Sequence, residues 1–205
     1  MRSESADVSE AASIHDSAYV WHLAQIREGA CLAAGVVVGR GAYIGVGVRV
    51  GANSKIQNFA LVYEPAVVGA GVFIGPAAVL TNDQRPRAVN PDGTLKSATD
   101  WEPVGVIVME GASIGARVVC VAPVTIGSWS MVAAGAVVVT DVPDFALVVG
   151  VPARRIGWVG RSGSRLGRVP GSADLWVCPV TSVKFREIGS DKLVELADSG
   201  DELRR

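Results

Sequence analysis

The chain has 205 residues, 49% of them hydrophobic and 19% charged, with a formal net charge of -1. That length suits one domain with a small appendage, and the near-zero charge, without a basic stripe, argues against a nucleic-acid partner. No long uncharged apolar run reads as a spanning helix, and the polar start "MRSESADVSE" is no secretory leader, so the expectation is a cytoplasmic protein with no membrane partner.

Counting in sixes from Val20 reaches Ile26, Leu32, Val38 and Ile44 and continues without a miss to Leu80. Four residues after each aliphatic stands a small residue, from Ala24, Ala30 and Val36 onward to Ala78, with glycines such as Gly39, Gly45, Gly51 and Gly69 between them. A period of six is too short for a helical repeat and matches the hexapeptide class of parallel β-helices. Each hexad supplies a short strand and a turn. The aliphatic points into a prism, the small residue packs beside it, and glycine admits backbone angles that a side chain would penalise. Three hexads close one triangular coil. A β-sandwich would instead space its strands about 8 to 12 residues apart and alternate with period two, and this stretch does neither.

After Leu80 the beat stops. The segment "TNDQRPR" opens a polar, proline-bearing excursion, a loop inserted over about residues 83–104. The frame returns at Val108, Ile114, Cys120, Ile126, Val132 and Val138, where cysteine stands in once as a small hydrophobe. The seventeen in-phase hexads predict between five and six coils stacked into a continuous core, in a domain spanning 8–158. Cys31, Cys120 and Cys178 have no paired spacing and read as reduced, mostly buried thiols rather than a disulfide framework or a zinc site. From Gly160 a polar linker leads to "LWVCPV" and "VKFREI", which alternate and read as a hairpin. The final "DKLVELADSGDELRR" reads as a short helix or a frayed end. Residues 159–205 are thus a linker and a small extension, serving as a cap or a trimer-stabilising flap.

Further motifs stand in order along the chain: "VWH" at 20–22, "KIQN" at 55–58, "VYE" at 62–64, "GVFIGP" at 71–76, "LTN" at 80–82, "PR" at 86–87, "GASIGA" at 111–116 and "GVPARRIGW" at 150–158. Together with the hexads, this series resembles the left-handed parallel β-helix acyltransferases, in particular the branch that N-acetylates the 3-amino group of nucleotide-linked amino sugars. The resemblance implies an all-β fold, and a left-handed one although parallel crossovers are otherwise right-handed. It also implies a homotrimer with active sites between subunits, acetyl-CoA as cosubstrate, and a UDP- or dTDP-linked amino sugar of surface-polysaccharide or unusual-sugar biosynthesis. At Arg40, Gly41, Phe59, Leu61, Val106 and Arg117 the chain departs from the branch's pattern, which leaves the nucleotide and the sugar open.

Only two histidines are present, His15 and His22, both placed by the repeat ahead of the main run of coils. A three-histidine metal site cannot be built from two, and no metal is expected. His22, beside Trp21, is either a packed or surface histidine or a nucleotide contact. Without a well-placed histidine, an amine acceptor is favoured over an alcohol. A neutral amine attacks a thioester unaided, the departing thiolate takes a proton, and the protein orients the amine and stabilises the oxyanion.

Asn82, where the beat stops on the "LTN" of the resemblance, is the candidate to hold the amine; a turn-forming asparagine is the plain alternative. Glu64, in "VYE", is the candidate carboxylate to orient or deprotonate it, and otherwise a solvated turn acid. Gln57 and Asn58 offer amides to sugar hydroxyls, or stack as polar ladders. Arg85 and Arg87 offer guanidinium groups to a diphosphate or a sugar carboxylate, and Trp101 stacks on a base or anchors the loop's return. For the acyl donor, Ala133, Ala134 and Gly135 leave room for a pantetheine arm. Arg154 and Arg155 fall where resembling enzymes place the adenosine phosphate. The stretch "DVPDFALVVGVPAR" also reads as the chain leaving the helix, with Pro143 and Pro152 ending strand pairing. The expected function is acetyl-CoA-dependent N-acetylation of a nucleotide-linked 3-amino sugar. The alternatives are a sugar O-acetyltransferase of the same fold and a non-catalytic scaffold.

Overall fold

Two residues suffice for most strands, because each hexad presents one outward and one inward side chain before it turns. The computed structural model describes residues 1–196. Asp7–Val8, Gln25–Ile26, Tyr43–Ile44, Leu61–Val62, Val79–Leu80, Val119–Cys120 and Val137–Val138 stack in that order as the first face of a solenoid. Ser13–Ile14, Cys31–Leu32, Arg49–Val50, Val67–Val68, Val106–Val108 and Val124–Ile126 form the second face. The third begins at Tyr19–Val20 and continues through Val37–Val38, Lys55–Ile56, Phe73–Ile74, Ser113–Ile114 and Met131–Val132 to Ala146–Val149. Neighbours within a face are parallel and in register, as in Leu61 against Val79 and Val62 against Leu80. The result is a parallel β-helix of hexapeptide repeats.

The inward aliphatics of the main run, Val20 through Leu80, are each at most 2% exposed, and the small residues beside them are equally enclosed. One of these is polar. Ser54 is fully buried, and its hydroxyl donates to the Gly69 carbonyl (2.8 Å) while accepting from the Val72 N–H (3.0 Å), as a buried polar group requires. Cys120 replaces an aliphatic in the same core, and burial pushes its thiol up to about 12.

Three features correct the sequence reading. The coils number more than five to six, because two further hexads, ending at Val8 and Ile14, precede Val20 and form strands. His15 and His22 therefore lie within coils, not ahead of them. At the other end Pro143 does not stop the pairing: Val142 bridges Ile126 in parallel, and Ala146–Val149 adds a strand beside Met131–Val132. Both prolines sit in turns, where no ladder N–H is demanded of them. The solenoid is closed by Arg154–Trp158, which runs antiparallel to Ala146–Val149.

Beyond it, Gly167–Arg168, Leu175–Val177, Lys184–Ile188 and Lys192–Glu195 form an antiparallel sheet. The hairpin expected from "LWVCPV" and "VKFREI" is present. The segment expected as helix or frayed end instead contributes a strand, Lys192–Glu195; the rest of it, 197–205, lies outside the described residues. This sheet docks on the last coils through Phe145 against Phe185 (ring centroids 5.3 Å apart), and Arg161, in the segment that leads to it, lies over Trp129 (4.6 Å) and pairs with Glu195 of the sheet (2.7 Å).

Candidate active site

The three corners of the prism carry different side chains. At the corner leading from the first face to the second, successive coils place Arg27 and Glu28, Gly45 and Val46, Tyr63 and Glu64, and then Thr81 and Asn82, where the insertion begins. The register of Leu61 with Val79 and Val62 with Leu80 carries Glu64 and Asn82 to equivalent places on adjoining coils, and adjoining strands lie about 4.8 Å apart. The two residues chosen for chemistry are thus stacked at one corner, at the root of the loop.

The Glu64 carboxylate lies over Gly45. A methyl group there would stand 2.0 Å from Glu64 Oε2 and 2.7 Å from the Glu64 backbone nitrogen, and the backbone contact bars a side chain. The Tyr43 hydroxyl is 3.4 Å from the same oxygen and 3.5 Å from Arg27 Nη1, and the Tyr43 ring packs against Tyr63 with centroids 5.1 Å apart. Burial, followed by the charge of Glu64, pushes the Tyr43 phenol above its ordinary range. Arg27 is held in turn by a two-point pair with Glu28 (2.8 and 2.7 Å), which lowers the Glu28 carboxyl.

The insertion is closed at its neck by the Val104 N–H, which donates to the Asn82 carbonyl (3.0 Å). Its far end is a small hairpin. Val89 bridges Leu95, Gly93 turns with φ +86°, and Asp92 accepts from the Thr94 N–H (3.0 Å) and hydroxyl (2.7 Å). Between neck and hairpin a cavity of about 320 Å³ gathers Asp83, Arg85, Lys96, Asp100, Trp101 and Glu102. Arg85 and Trp101 therefore share one surface. Arg87 does not line it, and its Nη1 donates to the adjacent Pro86 carbonyl (2.8 Å).

Gln57, Asn58 and His22 lie at the corner between the third face and the first, where they line a cavity of about 340 Å³ with Trp21 and Arg40. The chain therefore holds these residues and the Glu64–Asn82 pair on opposite edges of the first face. Asn58 has a structural duty as well: its Oδ1 accepts the Arg40 N–H (2.9 Å). His22 Nδ1 is engaged by the hydroxyls of Ser3 (2.7 Å) and Ser5 (3.0 Å).

Further along that corner, Ala133 and Ala134 border an apolar groove of about 310 Å³ with Phe73, Ser113, Gly115 and Met131. Gly115 is required here, since a methyl group would meet the Ala134 nitrogen at 2.5 Å. Gly135 follows at the corner with φ +73°. The two arginines expected nearby differ. Arg154 is exposed, with Nη1 on the Ala153 carbonyl (2.9 Å), whereas Arg155 stacks over Trp158 (4.1 Å), pairs with Glu187 (3.6 Å) and donates to the Ser190 carbonyl. Arg155 is bound into the junction with the terminal sheet. No group of three or more His, Cys, Asp or Glu able to hold a metal ion occurs among the described residues.

Sequence reasoning missed Tyr43 and Arg27 around Glu64, Lys96 in the loop cavity, and Phe73 and Met131 in the groove. Lys96 lies in the insertion, outside the repeat, and the others occupy outward or corner positions, which the hexad leaves unconstrained. The signal that could have found Tyr43 and Arg27 is the coil length itself, which brings them beneath Glu64.

The three parallel faces define a parallel β-helix of hexapeptide repeats, with one insertion at a corner and an apolar groove along an edge. No family model matches the chain. Among curated proteins it is 53% identical over 60 residues to dTDP-3-amino-3,6-dideoxy-alpha-D-galactopyranose 3-N-acetyltransferase of Aneurinibacillus thermoaerophilus, covering 29% of this chain and 31% of that protein. It is 40% identical over 89 residues to serine acetyltransferase 2 of Arabidopsis thaliana, covering 43% and 27%. The matches thus span a third or less of those relatives' length. Among solved structures, a hexapeptide-repeat acetyltransferase of Vibrio cholerae in complex with acetyl-CoA is 26% identical, covering 60% of this chain and 70% of that one, with a TM-score of 0.45. A superposition of that quality adds nothing to the fold read from the strand ladders.

Proposed function

We propose that this protein is an acetyl-CoA-dependent N-acetyltransferase acting on the 3-amino group of a UDP- or dTDP-linked amino sugar. In this reading it works as a cytoplasmic homotrimer in the synthesis of surface polysaccharides or unusual sugars. The observation that carries the proposal is the stacking of Glu64 and Asn82 on adjoining coils at the root of the insertion. The partial identity to a 3-amino-sugar N-acetyltransferase supports the choice of acceptor. The apolar groove beside Ala133 and Ala134 suits a pantetheine arm, and its glycine and alanines let the arm approach the backbone.

In this scheme the Asn82 side-chain carbonyl accepts from the amino group and orients it. Glu64 takes a proton from the ammonium form, since only the neutral amine has a free lone pair. The nitrogen then attacks the thioester carbonyl carbon, and backbone N–H groups receive the oxyanion. Collapse breaks the carbon–sulfur bond, and the departing thiolate takes the second proton from nitrogen. The products are the amide and the free thiol of CoA. Gln57, Asn58 and His22 reach the same substrate only from a neighbouring subunit, which agrees with a site between protomers. Arg85 and Trp101, on the loop, are placed to select the sugar or its nucleotide.

The matches to serine acetyltransferases favour a second reading, with a hydroxyl acceptor. Release of free thiol from acetyl-CoA, measured with UDP- and dTDP-linked 3-amino sugars and with their 3-hydroxy analogues, tests both. Turnover with the amines alone supports the proposal. Turnover with the hydroxyl analogues alone establishes the second reading, and release with neither defeats both.

A further inference from the structure

Tyr43 lies on the outer side of the first face, between the inward-facing Ala42 and Ile44. Its single hydroxyl proton has two charged neighbours, Arg27 Nη1 at 3.5 Å and Glu64 Oε2 at 3.4 Å. A guanidinium has only donors to offer. The phenol oxygen must therefore accept from Arg27, and its own proton is left for the carboxylate. That fixes the direction of the whole chain. Glu28 accepts from Arg27, Arg27 donates to Tyr43, and Tyr43 donates to Glu64, which takes part as the ionised acceptor.

The chain spans three coils, and each link is braced. The Glu28 carboxylate holds the guanidinium at two points, Tyr63 buttresses the Tyr43 ring, and the bare backbone of Gly45 leaves the space that Oε2 fills. Aligned donors in a partly enclosed setting reinforce one another.

We propose that Tyr43 is a positioning residue for the transfer reaction: its hydroxyl, oriented by Arg27, holds the Glu64 carboxylate over Gly45 as the proton acceptor, at the corner where Asn82 follows on the next coil. The proposal rests on the reading of Glu64 as the group that takes the amine proton. Oε1 of Glu64 is then the oxygen left to meet the substrate. Tyr43 bonds Glu64 directly, while Arg27 and Glu28 act through Tyr43.

The test compares the protein with Tyr43→Phe and Glu64→Gln, using thiol release with the 3-amino-sugar acceptor. Tyr43→Phe keeps the ring and its contact with Tyr63, and a melting curve checks that it folds. It should lower kcat/KM about tenfold, the worth of a hydrogen bond to a charged group. The loss should fall on kcat with KM for the sugar unchanged, because Tyr43 orients Glu64 and does not itself touch the substrate. A Tyr43→Phe protein with unchanged kcat, or one whose loss lies in KM alone, overturns the role of Tyr43, even if Glu64→Gln is inactive and the enzymatic reading stands. A Glu64→Gln protein at full rate overturns the role of Glu64, and that of Tyr43 with it.

Discussion

The two corners that border the first face follow the same six-residue template and differ in what they carry. At the corner from the third face, Trp21, Gly39, Gln57, Gly75, Gly115 and Ala133 succeed one another coil by coil, and the Asn58 amide caps a backbone N–H of the coil below. At the opposite corner the ladder gathers charge coil by coil, Arg27 with Glu28, then Tyr43, then Glu64, and opens at Asn82 into an insertion with its own hairpin. The solenoid core is the same beneath both. A repeat whose inner positions are fully committed to packing leaves chemistry to the corners, and a corner becomes a site when neighbouring coils place cooperating groups in register.

Replacing residues 84–102 with a short Gly-Ser link tests that division most severely. The rungs on either side pair directly, Val62 with Leu80 and Val67 with Ile107. The melting temperature should therefore move by only a few degrees, while kcat/KM for the amino sugar falls about a hundredfold through lost positioning. A large drop in melting temperature would show that the insertion supports the fold. Asn82→Ala should lower kcat/KM tenfold or more, on the order of 1.4 kcal/mol of transition-state stabilisation, with melting unchanged; an unaltered rate would remove Asn82 from the site.

At the quieter corner, Asn58→Ala frees the Arg40 N–H and should cost about 1 kcal/mol of stability, lowering the melting temperature by about 2–4 °C. The smallest effect is acidic. In the insertion, bonds from the Thr94 hydroxyl and N–H hold the Asp92 carboxyl below its ordinary 3.8, and those from the Ser97 N–H and hydroxyl hold Asp100 there too. A folded-state value below the unfolded one stabilises above the unfolded value and is lost as pH falls through the folded one. Below about pH 4 the insertion should loosen, seen as a change in Trp101 fluorescence, while the circular dichroism of the solenoid persists. Simultaneous loss of both signals would contradict the independence of loop and core.

The fold was legible because its inner positions repeat: Val20 to Leu80 are buried as their spacing requires. Legibility failed where the period was weak or broken. Val8 and Ile14 keep the six-residue step among alanines and serines, too few to stand out, and after Val138 the coil shortens, so that Val148 pairs with Val132 out of the expected frame. In the site, the motif residues Glu64 and Asn82 were named separately, and their adjacency emerged only from strand register. Tyr43 was hidden because an outward hexad position accepts nearly any side chain, and only the coil length, which sets it one coil below Glu64, pointed to it. Arg155 looked free in sequence and is bound by Trp158 and Glu187, the latter 32 positions away (187 − 155) in a sheet whose docking no local pattern announces.

The strand register also acts as an address system. Paired residues on one face differ by 18 positions, as from Leu61 to Val79, so adding or deleting one whole coil between distant parts of the chain returns every later side chain to its own edge. Adding a single hexad would turn everything after it by one face. Placed between them, it would set Glu64 and Asn82 on different edges although the inward aliphatics stayed buried. Length in this molecule is thus quantised: eighteen residues extend the prism and keep its edges aligned, and six residues shift every later edge without disturbing the prism.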